Sequence, residues 1–254
     1  MTDILGFNNL TKALSFNLYD FAVALNDDER ESYIKYIDER YSSKQIETHL
    51  IRIAEIIDAK VLNVSSKDFE PNGASVVLLM SDLEETNKNN TKKSNLTSQS
   101  TVSIHLDKSH ICAHTYPDSL DKSGICTFRV DIDIATCGSI SPLYALDFMF
   151  HAFESDVVCV DYVVRGFARN RHGEKIYIDH KLETIKDFIS KDVLKDYDTI
   201  DNNFPNRLTY QTMFKKKTLD ESTYFRNPKL VSKDAFENKM AHIRKEMDSI
   251  FKLS

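Results

Sequence analysis

Apolar and polar residues alternate at several places along the chain, and this pattern predicts most of its strands. Leu14, Phe16 and Leu18 alternate with polar residues within the region 6–25, and a similar alternation covers residues 125–136. Because successive side chains of a strand point to opposite faces, such alternation is typical of a strand with one buried face. We predict further strands at 61–64, 75–80, 101–116 and 157–165.

Other stretches repeat their apolar residues at the helical period. Helices are predicted at 27–41, 42–57, 142–154, 185–194 and 233–253. Ser42 precedes Gln45 by three residues, which is the pattern of a capping box at the start of the second helix. Ser141-Pro142 combines a capping residue with a first-turn proline, which favours the start of the helix predicted at 142–154.

These elements predict an α+β fold, with a mixed or mostly antiparallel sheet and helices packed on one face. We assign residues 1–180 to the core and residues 181–254 to a largely helical C-terminal extension. His172-Gly173 predicts a turn that pairs the strand at 157–165 with residues 175–179 in a hairpin. Residues 81–100 consist largely of Ser, Thr, Asn, Lys and Glu, so we predict a flexible insertion there.

Composition narrows the classes of function. Hydrophobic residues make up 41% of the chain and charged residues 28%, which is typical of a globular protein. A net charge of −6 argues against nucleic-acid binding, and we interpret Lys215-Lys216-Lys217 as a solvated surface. We expect no membrane span and no secretory signal, and therefore a cytoplasmic protein with reduced cysteines.

The densest chemistry lies in the segment His-Leu-Asp-Lys-Ser-His-Ile-Cys-Ala-His-Thr-Tyr-Pro, residues 105–117. It contains three of the eight histidines and one of the four cysteines. In an extended segment His110, Cys112 and His114 share one face, and Ser109 lies on the other. Such crowding of nucleophile, base and thiol is typical of acyl chemistry or of metal binding.

This segment resembles the self-cleavage segment of the S-adenosylmethionine decarboxylase proenzymes, in particular their longer bacterial form. The resemblance implies autocatalytic cleavage of the Lys108–Ser109 bond and conversion of Ser109 to a covalent pyruvoyl group. The products would be a β chain of residues 1–108 and an α chain of residues 109–254. The family's two-layer sandwich is the fold that it implies.

The resemblance also implies roles for three other residues. His114 matches the family's processing base, and a free imidazole titrates near neutral pH. Because strand parity puts His114 and Ser109 on opposite faces, a kink or the cleavage itself must bring them together. Ser75, in Pro71-Asn72-Gly73-Ala74-Ser75, is similar to the serine that assists processing. Cys137, at the predicted end of a strand, looks like the thiol that protonates the substrate carbon.

Two residues would contact the substrate by the same resemblance. Phe69 resembles the aromatic residue that stacks on adenine, and it could face the sulfonium through a cation–π contact. Asp118 follows Tyr116-Pro117, where family members often carry Glu. Its carboxylate is one methylene shorter, so we treat it as a substrate contact that departs from the pattern.

The implied reaction is decarboxylation of S-adenosylmethionine through a Schiff base to the pyruvoyl group. Carbon dioxide leaves, and the decarboxylated product is the aminopropyl donor for spermidine. Family members assemble αβ pairs into oligomers, and the longer bacterial form can require Mg²⁺. The sequence itself indicates no magnesium site.

Three alternatives remain open. A Cys–His hydrolase would use Cys137 and His114, but no acyl-transfer signature surrounds the cysteine. A metal site could combine His105 with His110, Cys112 and His114, although their spacing is unusual for a closed site. A non-catalytic homologue would serve as a binding subunit, retain the fold and never cleave itself.

Overall fold

The structure is a computed structural model that describes residues 4–82, 109–153 and 155–252. The strands are β1 (Ile4–Asn8), β2 (Thr11–Val23), β3 (Ala59–Asp68), β4 (Ala74–Asp82), β5 (His110–Asp118), β6 (Ile125–Cys137), β7 (Val157–Arg165), β8 (Ala168–Asn170), β9 (Lys175–Ile176), β10 (Tyr197–Asp201) and β11 (Thr209–Lys216). Within the described residues, eight of them form one antiparallel sheet in the order β10–β11–β7–β2–β6–β5–β4–β3.

The α-helices are α1 (Asp27–Arg40), α2 (Ser43–Ile56), α3 (Leu146–Ala152), α4 (Lys191–Asp196) and α5 (Lys233–Lys252). Short 3₁₀ turns lie at Pro142–Ala145, Ile185–Phe188, Pro205–Arg207, Glu221–Tyr224 and Pro228–Leu230. Of the helices that the structure describes, none combines the length and apolar content needed to cross a membrane.

Two hydrophobic clusters lie on opposite faces of the main sheet. Leu14, Phe16 and Leu18 of β2 belong to the larger cluster, together with apolar residues of α2 and α3. Phe21 and Val23, near the other end of the same strand, belong to a second cluster with the apolar stripe of α5. The predicted α+β fold is confirmed: helices cover one face of an antiparallel sheet, and the C-terminal helix packs on part of the other.

Local details differ from the predictions. Ser42 does precede α2, but its side chain makes no cap hydrogen bond. The Asp68 carboxylate instead accepts hydrogen bonds from the Ser43 N–H (2.6 Å) and the Ser43 hydroxyl (2.9 Å). The capping box is therefore wrong, because an acceptor on β3 takes its place. Ser141 likewise makes no cap bond, and the helix after it starts as a 3₁₀ turn.

The predicted hairpin has a different partner. Gly173 does lie in a turn, but the strand that pairs with β9 is β8, and β8 also pairs with β1. The chain leaves β7 at Gly166, whose positive φ and close approach to the Asn9 carbonyl exclude a Cβ. Within residues 181–252, β10 and β11 extend the main sheet, an addition that the sequence pattern did not predict. The domain boundary at 180 stays a prediction, and the predicted insertion lies almost wholly outside the described residues.

Candidate active site

Ser109 and Cys137 meet at one end of the main sheet. Ser109 is only 1% exposed, directly before β5, and its carbonyl accepts a hydrogen bond from the Met80 N–H (3.1 Å). Its Oγ lies 3.3 Å from the Sγ of Cys137, the last residue of β6. Two residues that lie 28 positions apart in the sequence are therefore in side-chain contact. Lys108, on the other side of the predicted cleavage bond, lies outside the described residues.

His114 and Ser75 form a second group. Antiparallel pairing of β4 with β5 places Ser75 opposite His114, and pairing of β5 with β6 places His114 opposite Asp131. His110, Cys112 and His114 are half-buried and alternate with buried residues, so they share the sheet face away from the larger core, as predicted. This face is partly polar.

The turn before β4 is fixed against β5. The Thr115 hydroxyl accepts a hydrogen bond from the Ala74 N–H (2.7 Å). Gly73 has φ of +98°, and a Cβ there would lie 3.0 Å from the Thr115 carbonyl oxygen. Glycine is therefore required for the close approach of this turn. The turn positions Ser75 on the first residues of β4.

Phe69 and Asp118 lie at this same end of the sheet. The Phe69 ring is 45% exposed, which excludes the role of a core aromatic, and the Lys67 ammonium lies 5.3 Å from its centroid. Asp118 is exposed at the end of β5, on the same parity as His114. Its carboxylate accepts a hydrogen bond from the Leu120 N–H (2.9 Å), so the local chain holds it in place.

The two groups are far apart within one chain. Ser109 and His114 are separated by five residues, and β5 is regular from His110 onwards. At about 3.4 Å per residue, their backbones lie roughly 17 Å apart along the strand. No kink in β5 shortens this separation. Of the two routes expected to bring Ser109 and His114 together, a kink is absent from the described strand, and rearrangement on cleavage stays a prediction.

The other three cysteines have thiols whose pKa values are raised. None of the four forms a disulfide. Burial raises the pKa of Cys126 to about 11, and burial together with the Asp161 carboxylate raises the pKa of Cys159 to about 12. Burial also raises the pKa of Cys112. These three thiols therefore stay protonated at neutral pH.

Metal binding has no support in the described part of the chain. Within it, no three or more His, Cys, Asp or Glu side chains are grouped so that they could hold an ion. His105, one member of the alternative metal site, lies outside the described residues.

A buried carboxyl pair was missed by sequence reasoning. Asp20 and Asp156 are hydrogen-bonded to each other, and the Tyr224 hydroxyl donates to Asp156 at 2.5 Å. They line a cleft of about 990 Å³ beside α1, which includes none of the predicted site residues. The sequence did carry a signal for this pair. Asp20 is a carboxyl residue on the same strand parity as the buried Leu14, Phe16 and Leu18.

The geometry defines a class of site: a buried serine and thiol in contact, with a histidine and a second serine on the same sheet. Comparison with known proteins gives the family. The profile described as S-adenosylmethionine decarboxylase matches residues 38–166. The chain belongs to the S-adenosylmethionine decarboxylase family.

Similar curated proteins cover almost the whole chain. The S-adenosylmethionine decarboxylase proenzyme of Pseudoalteromonas translucida is 43% identical over 97% of this chain and 93% of its own length. The proenzyme of Buchnera aphidicola is 44% identical over 97% of this chain and 94% of its own.

Solved structures give more distant matches. The adenosylmethionine decarboxylase of Aquifex aeolicus is 15% identical, with a TM-score of 0.34 over 70% of this chain and all of that one. The AdoMetDC-delta26 monomer of Trypanosoma brucei is 11% identical, with a TM-score of 0.36 over 82% of this chain and 66% of that one. The fold described above therefore rests on this chain's own structure.

Proposed function

We propose that this protein is a pyruvoyl-dependent S-adenosylmethionine decarboxylase that cleaves itself at Lys108–Ser109. The single observation that carries the proposal is the contact between the buried Ser109 hydroxyl and the Cys137 thiol. It unites the residue that would become the prosthetic group with the residue that would deliver the proton. Membership of the family supports the same substrate.

Cleavage would begin at the Ser109 hydroxyl. Its oxygen attacks the Lys108 carbonyl carbon, and the amide becomes an ester as the Ser109 nitrogen takes a proton. A base then removes the α-proton of Ser109, the Cβ–O bond breaks, and the upstream chain leaves with a Lys108 carboxylate. Water hydrolyses the remaining enamine to a pyruvoyl group and ammonia. Burial of Ser109 limits competing attack by water on the ester.

The pyruvoyl group would supply a carbonyl that condenses with the substrate amine and accepts electrons as carbon dioxide leaves. The chain's own residues supply the rest. The Cys137 Sγ lies 3.3 Å from the Ser109 Oγ, so a proton on this thiol would be placed to reach the substrate carbon. Ser75 can donate a hydrogen bond to the oxyanion that develops during cleavage.

Phe69 and Asp118 would hold the substrate. An exposed aromatic ring can stack on adenine or contact the sulfonium, worth about 1 kcal/mol. The Asp118 carboxylate can accept hydrogen bonds from the polar groups of the substrate. Both side chains are exposed at the His114 end of the sheet, where a ligand can reach them.

The separation of roughly 17 Å along β5 leads to the oligomeric part of the proposal. One chain has Ser109 and Cys137 at one end of its sheet, and His114, Ser75, Phe69 and Asp118 towards the other. Cys137 lies on the same sheet face as His114, and Ser109 contacts it at the strand end. Two copies packed in opposite directions through this partly polar face would bring the Cys137 end of one chain to the His114 end of the other. Every pair of copies would then form two complete sites.

The alternatives fit less well. A hydrolase built from Cys137 and His114 of one chain is disfavoured, because β6 separates Cys137 from Asp131, the neighbour of His114, by six residues. That is roughly 20 Å of strand. A non-catalytic binding subunit is distinguished by the absence of cleavage. We further propose that the enzyme acts in the cytoplasm and provides decarboxylated S-adenosylmethionine for spermidine synthesis.

Intact-mass analysis of the purified full chain tests the proposed function. We expect two fragments that meet at Lys108–Ser109, the larger with a blocked N-terminus that cyanoborohydride and S-adenosylmethionine convert to a heavier adduct. Ser109→Ala should stay at 29.2 kDa, while Cys126→Ala should cleave normally. A wild-type chain that remains whole on incubation would favour the binding subunit.

A further inference from the structure

Lys12 is a buried cation at the Cys137 end of the sheet. It shares the core parity of Leu14 and Phe16 on β2 and is 1% exposed. Its ammonium donates hydrogen bonds to the Gly138 carbonyl (3.0 Å) and to the Asp179 carboxylate (2.6 Å). Burial of an ammonium without hydrogen-bond partners would cost free energy. The Gly138 carbonyl and the Asp179 carboxylate therefore fix the position of the Lys12 ammonium.

Asp179 is itself held from two sides. Its other carboxylate oxygen lies 2.7 Å from Nδ1 of His180. Burial alone would raise the pKa of Asp179, but the hydrogen bonds of His180 and Lys12 lower it below its usual value. Nε2 of His180 lies 3.4 Å from the hydroxyl of the buried Tyr162. The anion that faces Lys12 is thus anchored to β7.

Both polar groups of the Gly138 main chain are bound to the start of β2. The Gly138 N–H donates to the Leu10 carbonyl (3.1 Å), and the Gly138 carbonyl accepts from Lys12. Gly138 has a φ of +68°, so the chain turns sharply directly after Cys137. The position of the Cys137 thiol opposite Ser109 therefore depends on how this turn is held.

We infer that Lys12, oriented by Asp179, is a positioning residue that fixes the Cys137–Gly138 turn and so aims the Cys137 thiol. The inference rests on the proposed role of Cys137 as proton donor. Lys12 and Asp179 act through the turn and need not touch the substrate. A displacement of about 1 Å in a reacting group can lower a rate by up to about 100-fold.

Lys12→Met removes the ammonium and keeps an unbranched side chain that extends to the Cε position. We expect the turnover number kcat to fall by about 10-fold to 100-fold, with KM within about twofold of wild type. Hydrogen exchange at the amides of 137 and 138, measured by mass spectrometry, should accelerate locally. Lys186→Met is the matched control, because it breaks another Lys–Asp pair, with Asp201 at 2.6 Å, and should leave kcat and both amides unchanged.

Lys12→Met leaves Asp179 buried without the cation, which can impair folding. Lys12→Met/Asp179→Asn leaves neither charge buried and should give the same loss of kcat and the same local exchange. Unchanged kcat and exchange in the folded variants would overturn the inference. Faster hydrogen exchange over the whole sheet, with kcat and KM altered together, would also overturn the inference. A wild type that never cleaves would instead refute the proposed function.

Discussion

The two ends of β5 differ in how they are held. At the start of β5, Ser109 is buried and in contact with Cys137, and the turn after Cys137 is bound on both sides. Towards the other end, His114 is half-buried, and Asp118 and the nearby Phe69 are exposed. A nucleophile and a proton donor need fixed geometry and little water, whereas residues that capture a ligand must be reachable. One end of the sheet thus meets the need for fixed, water-poor geometry, and the other end meets the need for access by a ligand.

Among substitutions that test this difference between the two ends, Cys137→Ala should have the largest effect on kcat. Loss of a positioned proton donor typically lowers a rate by about 10²-fold to 10⁴-fold. We expect kcat for carbon dioxide release to fall by that factor, while cleavage at Lys108–Ser109 still occurs. Cys159→Ala is the control, because its thiol hydrogen-bonds Asp161 on β7 and should not affect turnover. Equal kcat in the two variants would remove Cys137 from the mechanism.

A smaller effect is expected at the exposed end. Phe69→Ala removes an aromatic contact worth about 1 kcal/mol, so KM for S-adenosylmethionine should rise by about fivefold with little change in kcat. Phe204→Ala removes another exposed ring, 57% accessible, between β10 and β11, and should leave KM unchanged. Steady-state kinetics of the two variants separate a substrate contact from a general surface effect.

The smallest effect concerns the buried carboxyl pair at the Val23 end of β2. Burial and the neighbouring Asp156 raise the pKa of Asp20 well above 3.8. The folded chain therefore keeps a proton that the unfolded chain releases. As the pH rises from about 3.8 towards the raised value, the free energy of unfolding must decrease. Asp20→Asn has no proton to lose there, so its stability should fall less steeply.

Urea unfolding at a series of pH values measures that slope. Asp28→Asn, on the exposed surface of α1, is the control and should follow the wild-type curve. A slope for Asp20→Asn equal to that of the wild type would show that Asp20 does not retain a proton in the folded chain.

Local patterns in the sequence predicted much of the fold. The alternation of Leu14, Phe16 and Leu18 gave β2, and the helical stripe that includes Met240 and Met247 gave α5, because burial of one face leaves a regular period. The α+β class and the antiparallel sheet followed from these elements. β10 was missed because it is short and largely polar, and β11 was missed because its buried residues do not alternate regularly.

Long-range contacts were less accessible. The missing Ser42 cap depends on Asp68, 25 residues after Ser43, which no local rule includes. The contact between Ser109 and Cys137 follows from the register of β4, β5 and β6 and not from spacing in the sequence. Lys12 did leave a signal, a cation at a core position of an alternating strand. Its partner Asp179 lies 167 residues away.

The central claim is that the site is completed by a second copy, and mixed pairs test it most directly. Differently tagged His114→Ala and Ser109→Ala chains are expressed separately and together, and intact masses are measured. We expect each chain alone to stay whole. In the mixture, the His114→Ala chain should cleave, because its Ser109 and Cys137 meet the His114 and Ser75 of its partner. A His114→Ala chain that stays whole in the mixture, or that cleaves fully alone, would contradict the account.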